Sequence, residues 1–599
     1  MKSDKLKNTY RAAGECDPYR RPLQFRLIRR LFGYTRPYAG ERNWLLALVL
    51  ARAIQMPALA WMIGWVINGP IARQDMTMTV WGVTAFFGLA LVTQICFYFR
   101  MKLALNLGET VVKDLRRDIF SILLKMPMNY FNRTKSGSII SHFTSDAEAV
   151  RKGVKDVFFV SIAQGGQMLV AAVLMLWCDR VLFLTVLAMA PVLAILNQYF
   201  RRALSRATRA LQESWSRVTA TLAESVTGIR VTQGFVRQDV NTGIFSNLMN
   251  EHLQRNLGVA RVSGIFMPLL ELNGQIFIAV LLILGGYRVL NPAIQMDHGN
   301  LIQFFLLANI FFGSIRPVGE MYHQAQTAMA GAERIFDLLD AVPDWEEPED
   351  AVELPRIQGH VEFREVFFSY SKERRALDRL SFTASPGQTI ALVGPTGSGK
   401  TSIVNLIAKF YLPDGGNVLI DGRDTRDIQG KTLHRQMGLV IQANDLFTGS
   451  VMDNIRFGRP RAGDAAVVDA VRTLGFINLI EELPHGFATQ VGEGGQALSL
   501  GQCQLICFAR AMLADPRILI LDEATSAVDA ETEMCIQQAL AQLLMGRTSF
   551  IVAHRLSTIR KADQVIVLNQ GRIAERGTHA ELLAAGGIYA GLYRRFVSG

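Results

Sequence analysis

Six apolar runs, near residues 44–68, 79–100, 157–178, 181–203, 264–288 and 300–320, are each long enough to cross a bilayer, which takes about 20 mostly apolar residues in a helix. Hydrocarbon offers no partner for backbone N–H and C=O groups, so such runs fold as membrane helices that satisfy their own backbone. No comparable run follows residue 320. The 599-residue chain is 50% hydrophobic with a mean hydropathy of +0.20, an average that conceals an apolar first half and an ordinary second half. The expected architecture is an all-α six-helix transmembrane domain followed by an α/β domain.

The net charge of +11 fits nucleic acid, an anionic surface, or the Lys/Arg excess that membrane proteins keep on the cytoplasmic side. Lys and Arg crowd the first 45 residues and the stretches 100–156 and 201–263, while the links 69–78 and 288–300 carry almost none. This positive-inside distribution argues against nucleic acid as a partner. The polar, basic N-terminus lacks the apolar core of a signal peptide, so it is expected to remain cytoplasmic. Within residues 22–38, Leu23, Leu27, Ile28, Leu31 and Phe32 recur at helical spacing among Arg26, Arg29 and Arg30, as in a basic helix lying on a membrane surface. Six scattered cysteines form neither a zinc pattern nor a disulfide framework.

Short links join spans one and two, three and four, and five and six. Long basic segments separate the pairs, and their helical periodicity, as in Lys102–Lys125 and Arg201–Ser225, extends the helices into the cytoplasm. The resulting division is a cytoplasmic N-terminus with an amphipathic elbow helix (1–43), the transmembrane domain (44–328), a linker (329–356) containing the Pro/Glu/Asp-rich stretch 342–350, and an α/β domain (357–599) whose motifs, given next, mark it as nucleotide-binding. Polar residues inside the apolar runs include Arg52, Gln55, Gln164, Gln167, Glu271, Asn273, Gln275, Asn309 and Arg316. Such groups face a cavity or a neighbouring helix rather than lipid. Arg52, Glu271 and Arg316 are the candidate substrate contacts, with an Arg52–Glu271 ion pair as the alternative.

The second half opens its chemistry with Gly394-Pro395-Thr396-Gly397-Ser398-Gly399-Lys400-Thr401, between the apolar strand 389–393 and a helical pattern starting at Ser402. This is the strand–loop–helix setting of a P-loop: glycines let backbone N–H groups close around phosphates, Lys400 reaches the β- and γ-phosphates, and Thr401 can ligate Mg²⁺. Ser402 extends the phosphate-binding set. Farther on, the apolar strand 518–521 ends in Asp522-Glu523. Asp522 suits Mg²⁺, and Glu523 suits deprotonating the attacking water.

At these residues the chain resembles an ATP-binding cassette exporter of the half-transporter kind, multidrug or lipid type, with the membrane domain first. The resemblance places Leu498-Ser499-Leu500-Gly501-Gln502 at the signature sequence, so Ser499, Gly501 and Gln502 would contact nucleotide. It places Gln442 in the Q-loop, where it would serve both Mg²⁺ and catalysis. Ser526–Asp529 becomes the D-loop, with Asp529 at the nucleotide, His554 the switch histidine, and Tyr370 the aromatic that stacks on adenine. Two departures stand out: Leu500 replaces the signature's first glycine, and Cys503 stands where relatives usually carry Arg or Lys.

The resemblance implies ATP and Mg²⁺ as cofactors and an obligatory dimer with an identical or homologous half, because one chain's signature closes on its partner's P-loop. It implies a multi-pass protein of the bacterial inner membrane, surrounded by lipid, that exports or flips a small amphipathic substrate such as a drug-like molecule, lipid or peptide. An importer on the same fold, an ATP-gated channel or regulator, and a membrane-anchored ATPase are the alternatives. It also implies short transverse helices near Ser145-Asp146 and Val218–Glu224. Restoring a cation with Cys503→Arg is expected to leave ATPase activity unchanged or raise it modestly.

Overall fold

The computed structural model describes residues 24–598 except 292–295, 346, 372–373, 442–444, 523–528 and 553–555; for Asn273 and Arg316 it describes the helical backbone only. It divides into two compact units. One comprises residues up to Leu124 together with Gly137–Ala341, the other Lys125–Ser136 together with Val342 onward.

The first unit is helical. After α1 (Phe25–Tyr34) come α2 (Ala39–Val66) and α3 (Met76–Leu123). Short helical segments, two of them π-helical, lead into α5 (Phe159–Cys178), α6 (Arg180–Thr227), the brief α7 (Ile229–Gly234), α8 (Gln238–Leu290) and α9 (His298–Leu339). The six long helices cover all six apolar runs. Among the described residues, four helical stretches, Arg36–Ile71, Met76–Leu123, Ser136–Cys178 and His298–Ile315, meet both the length and the hydropathy needed to cross a membrane. The 48 residues of α3 and of α6 span about 70 Å at 1.5 Å per residue, more than twice a hydrocarbon core. Asp75 and Asp179 start these helices by accepting backbone N–H bonds, Asp179 from both Val181 and Leu182 at 2.9 Å.

On α2 the buried stripe Leu45, Val49, Ala53, Pro57, Ala60 and Gly64 faces α3, α5 and α9, while Trp44, Leu50, Ile54, Trp61 and Trp65 are exposed. Without water to drive association, membrane helices pack through small residues that let backbones approach. A Cβ added to Gly166 of α5 would stand 2.7 Å from that of Ala53. Helices α6 and α8 pack chiefly along each other. The chain reverses at α7, beyond the expected Val218–Glu224, which lies within α6. Helical propagation through that segment meets no breaker until Gly228. Ser145-Asp146 ends a π-helical turn, His142–Asp146, that belongs to the helical unit and packs on α9. Asp146 is buried, bonded to His142 at 2.9 Å and to Arg334 of α9.

In the second unit α4 (Met128–Arg133) packs with the α/β region: Asn132 donates to the Tyr411 hydroxyl and Asn129 to Asp344. An antiparallel sheet of β1 (Val361–Ser371), β2 (Arg374–Ala384), β4 (Gly415–Ile420) and β5 (Arg423–Asp424) has the order β2-β1-β4-β5. The second sheet joins β3 (Thr389–Val393), β6 (Met437–Val440), β7 (Ile518–Asp522), β8 (Thr548–Val552), β9 (Gln564–Asn569) and β10 (Arg572–Gly577) in the order β10-β9-β3-β8-β7-β6. All its pairs except β10–β9 are parallel. Parallel strands are covered on both faces, and accordingly Ile390–Leu392, Leu519, Ile520, Phe550, Ile551 and Val565–Leu568 are buried.

Candidate functional site

The site begins where β3 ends. Gly394, Gly397 and Gly399 take φ of 153°, 79° and 107°, a region that penalises any Cβ. At Gly399 the added Cβ would also lie 2.7 Å from Leu377 and 2.9 Å from the Ala376 carbonyl. The loop therefore runs into α10 (Lys400–Ile407) in a conformation that lets backbone amides close around an anion. Lys400 Nζ donates to Gly394 O at 2.7 Å and Pro395 O at 3.0 Å. Burial lowers the Lys400 ammonium below the ordinary lysine range, and the Asp522 charge acts in the opposite direction. Ser398 is buried, and its hydroxyl has no hydrogen-bond partner among the described residues. An unsatisfied hydroxyl within an amide cradle fits a phosphate acceptor. Pro395, Thr396, Gly397 and Thr401 are exposed, and Ser402 is buried beneath them.

Strand register brings the carboxylate to this loop. Leu392 pairs with Val552, and Val552 pairs with Asp522, so Asp522 leaves the sheet at the level of the P-loop, two strands away. At about 4.8 Å per strand, the separation leaves room for a hydrated cation between Asp522 and Thr401. Mg²⁺ keeps several waters and few protein ligands, which this pair suits. Glu523 and His554 follow the same edge in sequence. With Gln442 and Ser526–Val528 they lie outside the described residues.

Tyr370, at the end of β1, is 38% exposed, accepts a hydrogen bond from Asn405 at 3.0 Å and meets Tyr411 edge-on at 5.1 Å. One face is thereby braced. Sequence reading missed Tyr411 and the α4 residues beside it, since nothing in a local pattern links residues near 130 to residues near 411.

The signature residues open α11 (Leu500–Ala514). Ser499 caps the helix by accepting from Gln502 N at 3.2 Å, and Gln502 Oε1 accepts from Ser499 N at 2.9 Å. Ser499 and Leu500 are exposed, whereas Gly501 is buried. Cys503 is 5% exposed, sits against Gly495 and donates its thiol to Gly495 O at 3.7 Å. Burial raises its pKa. The cysteine therefore occupies a core position with apolar neighbours, contrary to the reading that a cation is simply restored there. Asp529 caps the helix Ala530–Leu544 through Thr532 N at 2.9 Å, a bond that holds its carboxyl below the usual range.

In the helical unit, Arg52 Nη1 and Gln55 Oε1 are buried without a hydrogen-bond partner among the described residues, and Arg52 stacks on Phe97 at 4.3 Å. Glu271 is exposed on α8.

Comparison with known proteins gives one consistent family. The family described as "ABC transporter transmembrane region" matches residues 43–315, and that described as "ABC transporter" matches 377–526. The uncharacterized ABC transporter ATP-binding protein YknV of Bacillus subtilis is 36% identical over 96% of this chain and 95% of its own. The ATP-dependent lipid A-core flippases of Aromatoleum aromaticum and Pseudomonas aeruginosa are 35% and 34% identical, covering 95% and 96% of this chain and 96% of each relative. A solved bacterial Atm1-family ABC exporter with ATP bound shares the fold, with a TM-score of 0.77 at 23% identity over 94% of this chain and 98% of that one.

Proposed function

Because the chain belongs to the ATP-binding cassette transporter family, with a helical membrane region ahead of its ATPase region, we propose that it pairs with an identical or homologous half to export an amphipathic substrate. It is a multi-pass membrane protein and an ATPase coupled to transmembrane transport. In the proposed arrangement the N-terminus and ATPase face the cytoplasm across a bacterial inner membrane, as the Lys/Arg distribution supports. Relatives named as lipid A-core flippases support a substrate with a polar head and an apolar body.

The observation that carries the dimer is the signature itself. Ser499 and Leu500 stand exposed at the start of α11, and the Ser499 hydroxyl accepts from Gln502 N at 3.2 Å as the helix cap. A helix N-terminus presented this way suits phosphate oxygens brought by a second chain. Nucleotide with Mg²⁺ supplies the phosphoryl group and neutralises the charge developing on it. Lys400 and the loop amides hold the phosphates, Thr401, Asp522 and Gln442 serve the cation, Tyr370 stacks on the base, and Asp529 supports the facing site. Glu523 accepts a proton from water and His554 hydrogen-bonds the γ-phosphate. Closure of two such sites draws the ATPase units together, and transport follows if the membrane helices have different substrate affinity in their two states.

The test is Glu523→Gln in the full-length protein. It should bind ATP, accumulate as a closed dimer and turn over at least about 100-fold more slowly, the usual scale of general-base loss. Turnover near wild type would refute the assignment of the base. In inside-out vesicles, ATP should drive a fluorescent amphipath inward with wild type and not with Glu523→Gln; movement in the opposite direction would establish import.

A further inference from the structure

The polar groups of Arg52 and Gln55 are not isolated. One face of α3 brings Cys96, Phe97 and Arg100 against them: Gln55 Nε2 donates to Cys96 Sγ at 3.5 Å, and the Phe97 ring lies 4.3 Å from the Arg52 guanidinium and 5.1 Å from that of Arg100. Arg100 is only 8% exposed, and its Nε, like Arg52 Nη1 and Gln55 Oε1, has no hydrogen-bond partner among the described residues. Arg100 also directs Nη2 at the sulfur of Met101 at 3.3 Å, a weak acceptor. Two guanidiniums thus share one ring and act on each other electrostatically. Asp156, the carboxylate that Arg100 senses, lies 3.9 Å from Lys155 in an ion pair of its own.

Such an arrangement is costly without a ligand. Buried like charges repel, a phenyl face offsets only part of the lost hydration, and the unmade hydrogen bonds leave desolvated donors at Arg52 and Arg100 and a desolvated acceptor at Gln55 Oε1. Leu45, Val49, Ala104, Leu107 and Phe159 form a buried apolar cluster on the same helices and α5. Arg52 lies eight residues into its apolar run, about 12 Å along the helix, and Arg100 closes the run of the antiparallel neighbour. Both guanidiniums therefore sit at the same level, in the half of the bundle where α2 enters and α3 leaves its apolar run.

We propose that Arg52 and Arg100, with Gln55 and the ring of Phe97, form a binding site for the singly anionic or dianionic head of an amphipath, a phosphate ester in particular, whose apolar tail lies along exposed apolar side chains such as Leu50 and Ile54 of α2 and Ile95 and Phe99 of α3. Planar guanidiniums bind phosphate oxygens through paired N–H donors, and the Arg52 and Arg100 donors left unmade in the protein supply them. This rests on the proposed export of an amphipathic substrate and names the chemistry that selects it.

The experiment measures binding of dodecyl phosphate to the full-length dimer in dodecyl maltoside, by calorimetry and by the shift of the thermal midpoint, for wild type, Arg52→Gln, Arg100→Gln and Arg100→Lys. Wild type should bind with a stabilising shift. Each glutamine variant should bind at least about tenfold more weakly, the scale of one charge-assisted hydrogen bond, and Arg100→Lys should retain part of the affinity. Without ligand the glutamine variants should melt no lower than wild type, because one of two like charges has gone. Affinity unchanged in both glutamine variants, or no binding to wild type, overturns the proposal. Should a glutamine variant fail to fold, Arg52→Lys with Arg100→Lys, which keeps charge and loses the paired donors, carries the same test.

In nanodiscs, competition by phosphatidylglycerol against a phosphatidylcholine background assigns the site to membrane lipid; dodecyl phosphate binding without such competition assigns it to a single-chain amphipath. Either supports the site. Vesicle transport of a neutral amphipath by a protein that ignores dodecyl phosphate would sink this site and leave export standing. The converse result would sink export alone.

Discussion

Lys400 Nζ donates to the carbonyl oxygen of Gly394 at 2.7 Å, so the P-loop is closed by its own lysine. Phosphate oxygens would exchange neutral carbonyl acceptors for charged ones. Lys400→Ala should weaken ATP binding about 10- to 100-fold, the range for a hydrogen bond to a charged group, and turnover should fall with it. Unchanged nucleotide affinity would remove Lys400 from the phosphate site.

The same lysine gives a pH dependence. Burial lowers the ammonium pKa in the free protein, and a bound polyanion would raise it again. Nucleotide binding should then take up protons at alkaline pH, and affinity should decline as pH rises through the lowered lysine value, below the ordinary value of about 10.4. Calorimetry near pH 9 in two buffers of different ionisation enthalpy should show that uptake. Identical enthalpies in both buffers would contradict it.

Ser499 serves as helix cap and as proposed phosphate contact. Ser499→Ala should cost about 1 kcal/mol through the lost cap and reduce turnover. Ser499→Asp keeps a good cap while placing negative charge toward phosphate, so it should retain the thermal midpoint and still lose at least about tenfold in turnover. Normal turnover in the aspartate variant would confine Ser499 to capping.

Cys503→Arg should destabilise the ATPase unit, by about 1–3 kcal/mol for overpacking, because the thiol fits against Gly495, where even a Cβ would stand 2.9 Å from sulfur. Cys507, one turn on, is pushed up to about 11 by burial. At pH 8 its thiolate fraction is on the order of one in a thousand, so iodoacetamide should modify it only after unfolding. An undiminished midpoint for Cys503→Arg, or rapid native labelling of Cys507, would contradict this packing.

Asp179 accepts from Arg288 Nε at 2.8 Å while capping α6, which ties the start of α6 to the end of α8. Asp179→Asn keeps a competent cap and removes the charge, so its cost reports the ion pair, about 3 kcal/mol for a pair that is largely buried. The double change with Arg288→Met should cost no more than Asp179→Asn alone. Full additivity would show that the two side chains act independently.

What the sequence determined by itself is local or periodic. Apolar length dictates helices wherever backbone groups meet hydrocarbon, and the glycine spacing of 394–399 has few foldings other than a phosphate loop. The order of Gly394–Thr401, Ser499 and Asp522 sufficed to indicate the family, because each motif carries its chemistry within a few residues. The tertiary structure decided what depends on distant partners. Only packing showed that Cys503 is enclosed, that α4 rather than Ser145-Asp146 is the short helix seated on the ATPase unit, and that the reversal between α6 and α8 comes at α7. Arg100 is the sharpest case: an arginine ending an apolar run reads as flanking charge. Its burial against Phe97, facing Arg52, depends on how two antiparallel helices are set in register, and that register is fixed by side-chain packing across the interface rather than by any pattern along the chain.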